Sequence, residues 1–367
     1  MRRAIGVIPL VMLAVIIMAA CAGPRAGDGA DVKPSPVRVS ANAIPGKAPT
    51  PSIDAAFANW LKDFKAEAAR QGIRQSTIDS ALKDVRPVQK ILDRDRSQPE
   101  FTLTLDIYQS RVITPANIAA GRRKMAQYET LLQSVAAKYG VQPRFIVAIW
   151  GIETRYGAVK PTSPIIPALA TLAYDTRRPG YFRNELMQAL RMLDAGYATP
   201  GQLNGSWAGA MGQPQFMPSS YMKFAQDWDG DGKRDIWSNP GDVFASIANY
   251  LASTGWSGNE TWGRPVTLAA DLRNGMAHFQ RREKSGCKAI DLLTGPKSLP
   301  EWQAMGVRRV DGSHLPQRDI QASLVVPEQV DGQAFLVYAN YESVLRYNCA
   351  HFYALTVGAL SDMIGGG

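Results

Sequence analysis

A carboxylate that closes an apolar run is the residue in this chain best suited to acid–base chemistry. The run Ile146-Val147-Ala148-Ile149-Trp150-Gly151-Ile152 has no polar face, and Glu153 follows it directly, ahead of Thr154-Arg155-Tyr156-Gly157. A helix that is apolar all round is buried on all sides, which puts Glu153 at the floor of a cleft, partly enclosed. Enclosure disfavours the charged carboxylate and raises its pKa, so the group keeps a proton near neutral pH as a general acid must. The plainer reading of a lone Glu is an exposed residue, or one paired with nearby Arg155.

A second constellation is Asp227-Trp228-Asp229-Gly230-Asp231-Gly232. Carboxylates at loop positions 1, 3 and 5 with Gly at 6 open an EF-hand calcium pattern. Lys233 at position 7 would lend only its backbone carbonyl, and Asp235 falls on position 9. Position 12 is Ser238, where the pattern carries a bidentate Glu. A solvated acidic turn without metal is the alternative. Cys287 and Cys349 either pair in an oxidising compartment or stay as buried thiols, and their positions in the chain leave both open.

Longer stretches around these residues match a known pattern. IWGIETRYG (Ile149 to Gly157) closely resembles the catalytic segment of the membrane-bound lytic murein transglycosylase B family, with Glu153 on the catalytic glutamate. GAMGQPQFMPSSY (Gly209 to Tyr221) resembles the family's second signature, and Arg346-Tyr347-Asn348 a third. The three stand in the family's order and span most of residues 55 to 365. The resemblance implies a mainly α (α+β) fold, a lysozyme-like core with a flanking helical portion and a small β-rich insertion. It implies cleavage of the β-1,4 bond between N-acetylmuramic acid and N-acetylglucosamine in peptidoglycan glycan strands, with no cofactor for catalysis.

Most glycosidases use two carboxylates, one to protonate the leaving oxygen and one to attack or to activate water. In a lytic transglycosylase the muramic acid's own C6 hydroxyl attacks, giving a 1,6-anhydro end, and positioning takes over what a second carboxylate would supply. By position in the family pattern, Tyr108, Ser206, Gln215, Phe216, Tyr250, Tyr347 and Asn348 bind substrate along the cleft. Pro214 stands where Gly or Thr is usual; it lacks an N–H and stiffens the loop beside Gln215. The resemblance also supplies a last calcium ligand, Asp242, across a one-residue shift. The implied set is then Asp227, Asp229, Asp231, Lys233, Asp235 and Asp242, around a structural calcium. Two other functions compete. A water-using muramidase would need a second carboxylate, for which Asp175 or Glu185 are candidates, and a non-catalytic peptidoglycan-binding lipoprotein would need none.

The elements that must position these residues are mostly helical. Phe57, Trp60, Leu61, Phe64 and Ala68 recur at helical spacing, and Gly72 stands where that helix should stop. Thr114-Pro115 predicts a capped start to a helix running from Ile118 to Tyr139, and Gln142-Pro143 opens the helix that leads to Glu153. Further helices are expected over 182–196, 218–225, 242–254 and 353–364. Short segments at 265–268, 322–326 and 334–338 read as strands. The expected organisation is a catalytic domain over 53–365, with its core at about 115–262 and the β-rich portion at about 263–340.

The compartment is written in the first residues. Arg2 and Arg3 precede an apolar stretch from Ile5 to Met18, and Ala19-Ala20-Cys21 follows. A short apolar run ending in small residues is a signal peptide, here residues 1–20. Cys21 resembles the lipidated residue of a bacterial lipobox, although Met18 replaces the usual Leu. Ala22, in place of Asp, implies the inner leaflet of the outer membrane. Residues 21–52, with Pro34, Pro36, Pro45, Pro49 and Pro51, read as a flexible periplasmic tether. Losing Arg2 and Arg3 with the signal lowers the basic count from 41 to 39 against 32 acidic residues, a charge of +7. That favours polyanions, but no basic block or zinc-finger spacing supports nucleic acid. Protein partners in wall synthesis or division are not specified.

Overall fold

The computed structural model of the protein describes residues 53–96, 103–328 and 332–366. The signal peptide, Cys21 and the tether lie outside the described residues. Helix α1 (Ile53–Arg70) buries Phe57, Leu61, Phe64 and Ala68, and the chain turns at Gly72 with φ 87°. After α2 (Gln75–Ala81) and α3 (Gln89–Arg96), Thr104 caps α4 (Leu105–Val112) by accepting the Ile107 N–H. Thr114 likewise caps α5 (Pro115–Gln127), with Pro115 where a missing N–H costs nothing. The single helix expected from Ile118 to Tyr139 is in fact two. The chain breaks at Tyr128 (φ −112°, ψ 21°) and resumes as α6 (Glu129–Tyr139). The break sets the Tyr128 ring edge-on to Trp150 and Phe244, at 5.9 and 5.3 Å.

Helix α7 (Pro143–Thr154) starts on Gln142-Pro143 and is buried from Phe145 to Gly151. A two-stranded antiparallel ribbon of β1 (Ser163–Pro164) and β2 (Asn204–Gly205) brackets α8 (Ile165–Tyr174) and α9 (Pro179–Asp194). Helix α8 is apolar all round and offers no amphipathic period to read; Pro167 sits in its first turn, where N–H groups lack helical partners anyway. Next come α10 (Pro218–Phe224) and α11 (Pro240–Ser253), the latter capped by Asn239.

The β-rich portion runs through β3 (Gly263–Thr267), α12 (Ala270–Asn274), α13 (Lys288–Asp291), β4 (Lys297–Ser298), α14 (Leu299–Ala304), β5 (Arg308–Arg309), β6 (Gln321–Val325) and β7 (Ala334–Val337). Its antiparallel sheet has the order β4-β6-β7-β3-β5. The three longer strands lie where the sequence put them. The two-residue strands β4 and β5 are too short to show alternation. The chain then returns to the helical body as α15 (Ala339–Tyr347) and α16 (His351–Gly365).

Two apolar clusters carry that body. One joins α6, α7, α11, α15 and α16 with Phe335 and Val337 of the sheet; the other joins α1, α2, α8, α9 and α10. A third, around Trp302, holds the sheet against α14. Tyr347 packs against both of the larger clusters. The seam between them is where the candidate residues gather.

Candidate active site

Glu153 occupies the last turn of α7, after six residues, Phe145 to Trp150, that are at most 2% exposed. The helix stops abruptly. Arg155 (φ 50°), Tyr156 (φ 59°) and Gly157 (φ 77°) all take left-handed backbone, which costs a non-glycine residue about 1 kcal/mol. Packing holds Tyr156 in place. The Tyr156 hydroxyl donates to the Asn117 carbonyl at 2.9 Å, and its ring meets Trp150 edge-on at 5.7 Å. Any side chain at position 157 would run into Gln213. Arg155 is exposed, and the partner of Glu153 is Tyr353 instead, whose hydroxyl donates to Glu153 Oε1 at 2.6 Å.

The Glu153 side chain keeps some surface open, while protein encloses its carboxyl group. Desolvation pushes its pKa up to about 8, against the opposing pull of the Tyr353 hydrogen bond. Among the described residues, no second carboxylate contributes to the shift. Asp175 accepts from Arg177 at 3.2 Å and pairs with Arg96 at 3.6 Å. Glu185 is buried and accepts from the Ser219 N–H at 2.9 Å and the Ser219 hydroxyl at 2.7 Å, at the first turn of α10. Both candidates for a second acid therefore have structural work of their own.

The second signature packs directly on α7 through Gln213. Its side-chain carbonyl accepts the Trp150 indole N–H at 2.7 Å, and its amide donates to the Trp237 carbonyl at 2.9 Å. Its backbone carbonyl accepts the Thr154 hydroxyl at 3.0 Å. Gln213→Ala leaves the Trp150 N–H without a partner, at about 1–3 kcal/mol. Denaturant titration checks this: the midpoint falls, and activity falls with it because Thr154 neighbours the acid.

The residues expected along the cleft divide into two groups. Tyr250 and Tyr347 stand 4.7 Å apart, and the Tyr347 ring lies parallel to Tyr353 at 6.4 Å. The Tyr250 hydroxyl donates to the Arg346 carbonyl at 2.5 Å, and that of Tyr347 donates to the Pro214 carbonyl at 2.6 Å. These tyrosines connect all three sequence signatures to Glu153. Phe216 is 2% exposed and lies 5.7 Å from each of the Tyr250 and Tyr347 rings, so it backs this wall instead of presenting a face of its own. Ser206 is also buried, its hydroxyl accepting the Ala210 N–H at 3.1 Å. Gln215 takes left-handed backbone (φ 53°), and its side-chain amide donates to the Gly212 carbonyl. Tyr108 packs against Phe352, next to Tyr353. Asn348 is half-buried, between α15 and α16.

Sequence reasoning passed over Tyr353 and Gln213. Gln213 lay inside a quoted motif but was overshadowed by Gln215. Tyr353 follows the third signature by five residues, at the start of the helix expected over 353–364.

In the acidic loop, carboxylate oxygens of Asp227, Asp229 and Asp242 lie within 4.8 Å of one another. Three converging hard oxygens suit calcium or magnesium over softer metals. Asp231 and Asp235 are not in that group. They accept from their own loop's backbone, Asp231 from Lys233 N–H at 2.8 Å and Asp235 from Trp237 N–H at 2.9 Å. The Lys233 side chain is exposed. Asp242 is fully buried and accepts the Trp228 and Asp235 N–H groups at 2.8 and 2.6 Å. Cys287 and Cys349 form a disulfide.

An enclosed carboxyl beside packed tyrosine rings fits a class: the lysozyme-like lytic transglycosylases. Residues 56–362 match the Transglycosylase SLT domain family, and the chain belongs to it. It is 36% identical over 260 residues to membrane-bound lytic murein transglycosylase B of Escherichia coli (strain K12). That match covers 70% of this chain and 66% of the relative, just under two thirds of its length. Among solved structures it is similar to SltB3 from Pseudomonas aeruginosa in complex with NAG-NAM-pentapeptide, at TM-score 0.76 and 41% identity, over 85% of this chain and 80% of that one. It is also similar to the Escherichia coli lytic transglycosylase Slt35 in complex with calcium, at TM-score 0.68 and 30% identity, over 83% of this chain and 92% of that one.

Proposed function

We propose that the protein cleaves the β-1,4 bond between N-acetylmuramic acid and N-acetylglucosamine in peptidoglycan, leaving 1,6-anhydro ends, with Glu153 as its only acid/base. The observation that carries this is a carboxyl enclosed by protein and held by the Tyr353 hydroxyl at 2.6 Å, its pKa raised by burial to about 8 against the pull of that hydrogen bond. Below that pH Glu153 holds its proton. Oε1 accepts from Tyr353, so Oε2 carries the proton and gives it to the glycosidic oxygen as the bond to C1 breaks. The resulting carboxylate keeps the Tyr353 hydrogen bond and takes the proton of the C6 hydroxyl as that oxygen bonds to C1. Each proton given is regained, and no water is consumed. Tyr250 and Tyr347 back the sugars with ring edges, their hydroxyl protons already donated to the Arg346 and Pro214 carbonyls.

Digestion of purified sacculi followed by mass spectrometry tests the assignment. The expected products end in anhydromuramic acid, one water lighter than reducing ends. Reducing ends alone would overturn it in favour of a hydrolytic muramidase, and no release would favour a glycan-binding role.

Asp227, Asp229 and Asp242 would hold a structural calcium, which would tie the 227–235 loop to the start of α11 and supply no chemical step. Calcium at 100 times its dissociation constant stabilises the folded state by about 2.7 kcal/mol. Thermal unfolding should therefore move up with calcium in the native protein and stay fixed in Asp227→Asn. Magnesium, smaller and more demanding of octahedral geometry, should give a smaller rise.

The lipobox-like segment around Cys21 supports attachment to the outer membrane's inner leaflet, facing the wall. Among the described residues no helix is long and apolar enough to cross a membrane.

A further inference from the structure

The Cys287–Cys349 disulfide joins the β-rich portion to the short link between α15 and α16. That link is Asn348, Cys349 and Ala350. Its outer residues are extended (φ −144° and −145°), and the Ala350 N–H donates to the Asn348 carbonyl at 2.7 Å. Tyr347 comes immediately before the link, its hydroxyl on the Pro214 carbonyl. Tyr353 comes three residues after it, its hydroxyl on Glu153. The relative placement of these stacked rings therefore depends on how the link is held. Across the disulfide, Cys287 caps α13, whose Ala289 and Ile290 are buried in the same cluster as Val344 and Leu345 of α15. Beside it, Arg282 pairs with Glu342 of α15 at 2.7 Å and donates to Ser323 of β6 at 3.2 Å. The 282–291 segment thus grips α15 by an ion pair and the link by a covalent bond.

We propose that the Cys287–Cys349 disulfide is a positioning element of the active site, fixing Tyr347 and Tyr353 against Glu153, and that breaking it impairs turnover in protein that remains folded. The inference rests on the reading of Glu153 as the acid/base. Oxidised wild-type protein that released no anhydro product would defeat that reading; the disulfide is judged only against an active wild type.

The test compares wild type with Cys287→Ser/Cys349→Ser, well below the unfolding temperature of each, with folding verified by circular dichroism. The expected result is a fall in kcat of about tenfold to a hundredfold, the range a displacement near 1 Å can produce. The alkaline limb of the kcat profile should also move to higher pH as the Tyr353 hydrogen bond to the carboxylate weakens. A lower unfolding temperature with unchanged kcat, KM and pH profile would overturn the proposal and leave the disulfide a stabiliser only. Should the double variant not fold, the same readouts decide the matter on folded wild type reduced with a phosphine and alkylated. The same protein reduced and then reoxidised should regain its rate.

Discussion

Glu153→Gln loses release of anhydro-ended fragments by at least about a thousandfold, because one group serves both proton transfers and general acid–base catalysis contributes about 10²–10⁴ in rate. Pull-down with insoluble sacculi should show binding retained, since the aromatic wall is untouched. Residual turnover within tenfold of wild type would remove Glu153 from its role. The same substitution has a signature in stability. The folded-state pKa of about 8 lies above the ordinary 4.5, so the folded state binds the proton more tightly than the unfolded chain. Stability from this group is fully present below pH 4.5 and is lost as pH rises through 8. A neutral amide avoids that loss. Glu153→Gln should therefore resemble wild type at pH 4 and exceed it at pH 9 by about 3–5 kcal/mol, each tenfold in proton affinity being worth about 1.4 kcal/mol. Chemical denaturation at the two pH values measures the difference.

Tyr353→Phe moves the alkaline limb of activity upward from about pH 8. The hydroxyl lowers the Glu153 pKa by donating to the carboxylate, so its removal leaves desolvation unopposed. The acid form then persists to higher pH, while the carboxylate formed in the first proton transfer is less well stabilised. We expect kcat to drop about tenfold or more at pH 7, alongside the upward shift. A limb that stays in place with an unchanged rate would show that the 2.6 Å hydrogen bond has no part in turnover. KM should change little, because the Tyr353 ring that stacks on Tyr347 remains.

Legibility in the sequence followed the range of the interactions concerned. Local signals read well: Thr114-Pro115 and Gln142-Pro143 start helices, Gly72 ends one, and the apolar run before Glu153 is buried throughout. Glu153 stood out through the resemblance carried by Ile149 to Gly157, since the apolar helix alone left an exposed or Arg155-paired Glu as the plainer reading. What sequence could not supply was the return of α16 onto α7, since nothing near Tyr353 announces a partner in residues 143–154. The break at Tyr128 was hidden for a related reason, because the rings that receive its side chain come from α7 and α11. In the acidic loop the spacing gave the Asp227 and Asp229 positions. Which further carboxylates converge depends on the turn into α11, which brings in buried Asp242 and leaves Asp231 and Asp235 accepting from the Lys233 and Trp237 N–H groups.

Glu153 and the hydroxyl that steadies it are 200 positions apart along the chain. Contacts this distant form late, after most loop-closure entropy has been spent. Under the proposed function, Glu153 is synthesised well before the α16 hydroxyl that steadies it, and its full setting depends on α16 docking on α7. On the proposed reading, topology ties completion of the acid's setting to that docking.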